Sequence, residues 1–400
     1  MSSVEGNTLP DGWDLKPLGE IVKLQNGFAF KRSLYKDQGS PIIRIKNIKN
    51  ERVKLDDVVC FNPTDYNKDL DQYKIEENDI LIAMSGATTG KIGLYKRKDV
   101  AYLNQRVGLF RIKNGDLRRY LLYFLSTQVE ENLLKSLGAA QPNLSSSQIN
   151  EMETPIPPLE EQKRIVAKID TLFAKIDKAI SLTETSLLQA KNLLPSIIDE
   201  TFDSFDAEKV DLKSISESIQ YGYTGKTIED GQYYYLRITD IQGGVVNYQA
   251  APYSDIEGIN IEKNKLNKGD ILFARTGATA GKSYLFNDDV EAVFASYLIR
   301  VVCNQDIVRP SFVKWFFLSA NYWKQIYGNI IGAAQPNFNG KKLGELNLKI
   351  PSLEQQELVI GYLEKVSKQT KETQSKLKNQ LAYLKQLKSS ILSKAFKGEL

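Results

Sequence analysis

Pro155-Ile156-Pro157-Pro158-Leu159-Glu160-Glu161-Gln162 opens a segment that holds a helical period as far as Phe202, and the segment occurs twice. Val166, Ile169, Phe173, Ile176, Ile180, Thr183, Leu187, Ala190, Leu194 and Ile197 follow one another in steps of three and four. That alternation is the seam of a long amphipathic helix or coiled coil. The opening returns as Ile350-Pro351-Ser352-Leu353-Glu354-Gln355-Gln356, and Leu363, Thr370, Leu377, Leu384 and Ile391 then recur at seven-residue spacing. The two endings match at an offset of 194 positions, Ser196-Ile197-Ile198 and Phe202 against Ser390-Ile391-Leu392 and Phe396. The chain is a duplication, each half closed by a long helix.

Outward from these helices, each half begins with a globular stretch. In the first, Pro41-Ile42-Ile43-Arg44-Ile45, Asp79-Ile80-Leu81-Ile82-Ala83-Met84, Gly93-Leu94-Tyr95 and Val107-Gly108-Leu109-Phe110-Arg111-Ile112 read as strands separated by turn residues. A helix is expected over 117–137, with Tyr120, Leu121, Phe124, Leu125, Val129 and Leu133 on one side, and a short one over 145–152. The second half repeats the order. Tyr235-Leu236-Arg237-Ile238-Thr239-Asp240-Ile241 answers Ile42-Ile43-Arg44-Ile45-Lys46-Asn47-Ile48, and Gly138-Ala139-Ala140-Gln141-Pro142-Asn143 recurs unchanged at 332–337. The offset drifts between 191 and 194, so short insertions fall inside the globular parts while the helices stay in register. The expected class is α+β: two mixed α/β domains and two long helices in an internal repeat. Pro195 interrupts the first helical period, removing one backbone donor and crowding the preceding turn, and a bend is expected there.

Composition excludes much chemistry. The 400 residues contain no histidine, which rules out a Ser-His-Asp triad, a Cys-His pair and any histidine-ligated metal. Two cysteines cannot build a four-thiolate zinc site; Cys60 and Cys303 sit in apolar contexts and read as buried free thiols in a reducing cytoplasm. No run of about 18 apolar residues exists, so no membrane span is expected. No catalytic, cofactor-binding or metal-ligating residue is assigned. The net charge of +4 is compatible with nucleic acid without arguing for it.

Four features have competing readings. Gly86-Ala87-Thr88-Thr89-Gly90-Lys91 and Gly277-Ala278-Thr279-Ala280-Gly281-Lys282 suggest phosphate loops, but a P-loop needs four residues between its glycines and a following helix. Each turn has three, followed by strand-like sequence. They read as hairpin turns, or as turns that offer amides and a lysine to a DNA phosphate. Asn62-Pro63-Thr64-Asp65-Tyr66 lacks the second proline of the amino-methyltransferase pattern and reads as a loop. Arg44, Lys46, Asn47, Arg237, Thr239 and Asp240 fall at or just past a strand end in each half, as base readers or as surface residues with a strand-edge ion pair. The last helix carries nine lysines against two glutamates over 359–397, a solvated face or one that follows a phosphate backbone.

Gln141-Pro142-Asn143, Pro155-Ile156-Pro157-Pro158-Leu159-Glu160-Glu161-Gln162, their repeats and the Gly-Ala-Thr-x-Gly-Lys turns together resemble the specificity subunit of type I restriction–modification enzymes, across nearly the whole chain. The resemblance implies target-recognition domains at 1–157 and 205–351, and conserved long helices at 158–204 and 352–400. It implies that each domain reads half of a bipartite site in double-stranded DNA. The helices would pair as a long antiparallel coiled coil, separate the two domains about a pseudo-twofold axis, set the unread spacer and dock two methyltransferase subunits, and a motor-nuclease subunit can join. The chain itself would be non-catalytic and cytoplasmic, with S-adenosylmethionine-dependent adenine methylation and cleavage carried by partners. Arg44, Lys46, Asn47, Lys91, Arg237, Thr239, Asp240 and Lys282 are the DNA-binding candidates. The competing function is a coiled-coil scaffold with two domains for non-DNA ligands. A self-contained methyltransferase is disfavoured by the missing donor motif.

Overall fold

The computed structural model of the chain describes residues 9–49, 51–136, 143–242, 244–255, 260–330 and 338–400. Residues 138–142 of the first repeated motif, and all of 332–337 in the second, lie outside the described residues. The chain divides into two compact units, residues 1–182 with 380–400 and residues 183–379.

In the first unit, β1 (Asp14–Pro17), the single turn α1 (Leu18–Ile21) and β2 (Leu24–Asn26) precede β3 (Ser40–Ile43). The hairpin of β4 (Ile48–Lys49) and β5 (Glu51–Val53) follows, then β6 (Val59–Phe61), β7 (Lys74–Ile75), β8 (Ile80–Ala83), β9 (Ile92–Leu94), β10 (Ala101–Leu103) and β11 (Val107–Phe110). Helices α2 (Gly115–Thr127), α3 (Val129–Ser136) and α4 (Ser146–Asn150) lead through β12 (Glu153–Ile156) into α5 (Leu159–Ser204). One sheet has the order β2-β11-β8-β9-β5-β4, a second β6-β3-β10-β7, and β1 pairs with β12.

The helix expected over 117–137 is broken in two. Ser126 and Thr127 turn their hydroxyls onto the carbonyls of Leu122 and Phe124, at 2.8 and 2.6 Å. The Thr127 bond occupies the Phe124 carbonyl, the Gln128 N–H turns to the Leu125 carbonyl instead, and α2 ends there. Tyr120, Leu121, Phe124 and Leu125 of α2 pack with Ile165, Val166, Ile169 and Phe173 of α5, and with Ile391, Leu392, Ala395 and Phe396. Those last four belong to α10 (Leu353–Ala395) and the turn after it.

The second unit repeats the frame with β13 (Lys209–Asp211), β14 (Ser216–Tyr221), β15 (Thr227–Ile228), β16 (Tyr234–Leu236), β17 (Ile241–Gln242), β18 (Val245–Val246) and β19 (Tyr253–Ser254). After α6 (Ile261–Asn264) come β20 (Ile271–Ala274), β21 (Ser283–Leu285), β22 (Ala292–Phe294), β23 (Leu298–Cys303), α7 (Pro310–Phe316), α8 (Ala320–Ile330), α9 (Gly340–Gly344) and β24 (Asn347–Lys349). The order β14-β23-β20-β21 reproduces β2-β11-β8-β9. The parallel pair β16–β22 reproduces β3–β10, and β13–β24 reproduces β1–β12. One difference stands out: the β4–β5 hairpin extends its sheet through β9, whereas β17 and β18 form a separate two-stranded sheet.

The long helices pair antiparallel inside each unit. In the first, Lys388 Nζ lies 2.7 Å from Asp177 Oδ1 and 4.4 Å from the centre of the Phe173 ring. In the second, Gln374 Nε2 donates to the Ala190 carbonyl at 3.0 Å. The seam positions Val166, Ile169, Phe173, Ile176 and Thr183 are buried, as are Leu363, Thr370 and Ile391. Helix α5 runs through Pro195 without a break. Burying Ile198 and Phe202 beyond it contributes about 1.5–3 kcal/mol apiece, which outweighs the roughly 3 kcal/mol that proline costs a helix interior. No described helix is long and apolar enough to cross a membrane.

Candidate nucleic-acid interface

In each unit a loop leaves the central parallel strand and is closed by one buried polar side chain. Arg44 follows β3, and residues 45–47 make one tight helical turn. Asn47, 1% exposed, accepts the Arg44 N–H at 3.0 Å and donates to the carbonyls of Lys54 (3.1 Å) and Asp56 (3.4 Å). Asp240 takes the same place after β16. It accepts the Arg237 N–H at 2.9 Å and the Arg237 guanidinium at 3.0 and 2.8 Å, and is 7% exposed. Hydrogen bonding to Asp240 holds the Arg237 proton more tightly than usual, against the opposing effect of burial. Asn47 and Asp240 thus have a local reason to exist: each ties off a loop whose backbone donors would otherwise be buried unpaired.

The neighbouring candidates are differently placed. Lys46 and Thr239 are exposed, while Arg44 and Arg237 are half-buried. The Arg44 guanidinium lies over the Tyr35 ring, 5.8 Å from its centre, and its Nε is buried with no hydrogen-bond partner among the described residues.

The two glycine turns join β8 to β9 and β20 to β21. Gly86 and Gly90 have φ of +76° and +81°, and Gly277 and Gly281 of +70° and +90°, a region open to glycine at little cost. In the first turn the N–H groups of Thr89, Gly90 and Lys91 donate to Gly86, Ala83 and Thr88 at 2.8–3.0 Å. In the second, Ala280, Gly281 and Lys282 donate to Gly277, Ala274 and Thr279 in the same pattern. Those amides are consumed by the turn itself; what each turn presents outward is an exposed lysine, Lys91 or Lys282. Antiparallel β8–β9 and β20–β21 pairing makes both turns hairpins. The Arg44–Asn47 loop and the first turn lie side by side, since a side-chain carbon on Gly86 would come within 3.2 Å of Ile45 Cδ1. Among the described residues nothing lies within 4 Å of the same point on Gly277.

Residue-by-residue reading missed the β4–β5 hairpin, which carries Lys49, Arg52 and Lys54. The signal was available in the alignment of the halves: the corresponding positions are Gln242, Val245 and Asn247. Hydrogen bonding establishes the correspondence, because Lys54 N–H donates to the Asn47 carbonyl as Asn247 N–H donates to the Asp240 carbonyl. Asn62-Pro63-Thr64-Asp65-Tyr66 is a loop, with Asn62 capping a short turn and Tyr66 lying among Phe28, Phe30 and Phe61. Among the described residues no cluster of carboxylates and thiols is arranged to hold a metal ion.

A family model described as the type I restriction modification DNA specificity domain matches the chain twice, over residues 10–184 and 206–383. The specificity subunit of the type I restriction enzyme EcoKI of Escherichia coli strain K12 is 25% identical over an alignment of 421 positions, spanning 98% of this chain and 90% of that one. The MjaVIII specificity subunit of Methanocaldococcus jannaschii is 31% identical over 206 positions, 46% of this chain and 48% of that one. Among solved structures, a chain from work on complex assembly and conformational transition of the type I R-M system superposes with a TM-score of 0.76 at 18% identity, covering 98% of this chain and all of the other. The HsdS subunit of Thermoanaerobacter tengcongensis gives 0.61 at 19%, covering 98% of each. These two likenesses are of fold.

Proposed function

We propose, from the premise that this chain belongs to the type I restriction–modification DNA specificity family, that it is the sequence-reading subunit of such a complex. Residues 1–157 and 205–351 are the two target-recognition domains, residues 158–204 and 352–400 the helices between and after them. Each domain reads one half of a bipartite site in double-stranded DNA. The helices set the unread spacer and dock two methyltransferase subunits, and a motor-nuclease subunit joins the same assembly in the cytoplasm. The chain contributes no catalytic group: adenine methylation from S-adenosylmethionine, and cleavage, belong to the partners.

The observation that carries the reading is the double match of a DNA-specificity domain onto two units with one frame and different loops. A reader of two unlike half-sites needs a shared scaffold with divergent contact residues. In this reading Arg44, Lys46, Arg237 and Thr239 approach bases or phosphates, and Lys91 and Lys282 approach phosphates. Asn47 and Asp240 act by holding the loops that present their neighbours.

The test is methylation-sensitive sequencing of DNA modified by this chain with its methyltransferase partner. A bipartite asymmetric site is expected. Replacing residues 17–140 by the segment of a relative is expected to change one half-site and leave the other. A chimera that folds and alters both halves together overturns the reading, and so does purified complex that binds no DNA, the outcome expected of a scaffold for non-DNA ligands.

A further inference from the structure

The β4–β5 hairpin lies against β9 in parallel register, Glu51 opposite Gly93 and Arg52 opposite Leu94. Gly93 allows this approach. A side-chain carbon there would meet Ile48 Cγ2 at 3.1 Å and the Arg52 carbonyl carbon at 3.2 Å. The docked hairpin brings Lys49 and Lys54 to Lys91, the residue before β9, and the three line one cavity of about 330 Å³ together with Glu51, Ser126 and Val129. All three lysines are exposed, and none is ion-paired with a described residue. Three ammonium groups facing one carboxylate leave the cavity net positive.

Among the described residues the second unit keeps one lysine and lacks the glycine, the docked hairpin and the other two lysines. Gly93 corresponds to Tyr284, by the matching registers of Leu81 with Gly93 and Leu272 with Tyr284. The Tyr284 ring is buried in the cluster that receives Ile241 and Val246, and β17–β18 does not join β21. Lys49 and Lys54 are replaced by Gln242 and Asn247, so Lys282 stands without the other two.

We propose that the Lys49–Lys54–Lys91 cavity is a phosphate-binding site for the DNA backbone, present in the first unit and absent from the second. The assignment rests on the DNA-recognition reading above and adds that the two half-sites are held unequally: the first by a built anion site, the second with less help from charge. A phosphodiester in the cavity displaces counterions, so its contribution appears in the salt dependence of binding and carries no sequence information.

The experiment measures binding of a random-sequence duplex by the full chain in its complex across a salt series. Lys49→Gln with Lys54→Gln is expected to reduce the slope of log affinity against log salt by about two, about one per lysine. The advantage of wild type over variant then shrinks about sixteenfold between 50 and 200 mM salt. Lys49→Arg with Lys54→Arg keeps the charges and is expected to keep the slope, which separates charge loss from misfolding. Lys282→Gln is expected to change it by about one at most. Wild type that binds duplex while the glutamine pair retains its slope overturns the site and leaves DNA recognition standing; wild type without salt-sensitive binding overturns both. Protection of the three lysines from acetylation by inorganic phosphate but not by duplex would mark a free-anion site and overturn the assignment to DNA.

Discussion

At the scale of single residues, buried charge separates side chains that hold the fold from those free to act. Arg300 and Asp270 are both nearly fully buried; Arg300 Nη1 donates to the Lys265 carbonyl at 2.6 Å, and Nη2 to Gln220 Oε1 at 2.9 Å. Removing one partner of such a pair strands the other, so Arg300→Ala is expected to lower stability by about 3–5 kcal/mol in urea unfolding. Arg237→Ala is expected to cost less, because that side chain is 41% exposed and the Asp240 left behind still accepts the backbone N–H of residue 237. Burial pushes the Asp270 carboxyl above its usual range, against the pull of the Asn267 N–H and Arg300. A raised acid favours the folded state below the usual carboxylate range, and that advantage is lost as pH rises through the folded value. The Arg300→Ala deficit should therefore grow from acid toward neutral pH. Burial also pushes the Cys303 thiol up to about 12. Thiolate is the reacting form, so Cys303 is expected to resist iodoacetamide at pH 8 until the chain unfolds, read by mass spectrometry.

Among the elements, the hairpin on β9 shows how one glycine decides where a charged segment rests. Gly93→Ala puts a carbon in tight contact with Ile48 and Val53, and overpacking of this kind costs about 1–3 kcal/mol. The expected result is faster amide exchange at Arg52 and Leu94, together with a shallower salt slope, since the hairpin carries Lys49 and Lys54 to Lys91. Faster exchange without a change in slope would separate the hairpin from phosphate binding. The Tyr284 position needs no such room. Its hydroxyl shares the Asp288 carboxylate with Tyr248, and both tyrosines are held protonated well above their usual range, burial being the larger cause.

For the whole molecule, each long helix contributes to both units: the boundaries fall at 182/183 in α5 and 379/380 in α10. Their seams are locked inside each unit, by Lys388 with Asp177 and by Gln374 with Ala190. Four residues inserted at 182/183 alone add about 6 Å to one helix only and put its seam out of register with its partner. Matched insertions at 182/183 and 379/380 keep both seams. The spacer reading predicts that the doubly extended chain methylates the same half-sites one or two base pairs farther apart, duplex DNA advancing about 3.4 Å per pair. Methylation at the original spacing would remove the helices from the role of ruler.

The duplication, the two long helices and their seams, several strands of each half and the hairpin nature of the glycine turns were legible in the sequence, because periodicity and turn chemistry are local; which strands pair was not. Absence of histidine was legible in the same way. Three things depended on tertiary contact. Asn47 and Asp240, candidates for base contact or for a strand-edge ion pair, close the loops they belong to, and only the folded backbone shows where their hydrogen bonds go. The helix expected over 117–137 ends at Thr127, whose hydroxyl occupies the Phe124 carbonyl. Lys91 is remote in sequence from Lys49 and Lys54, and the three meet at one cavity through a strand pairing that Gly93 permits and that the second unit, with Tyr284 at this place, does not make. Convergence of this kind is set by which surfaces pack together, and a one-dimensional pattern does not encode it.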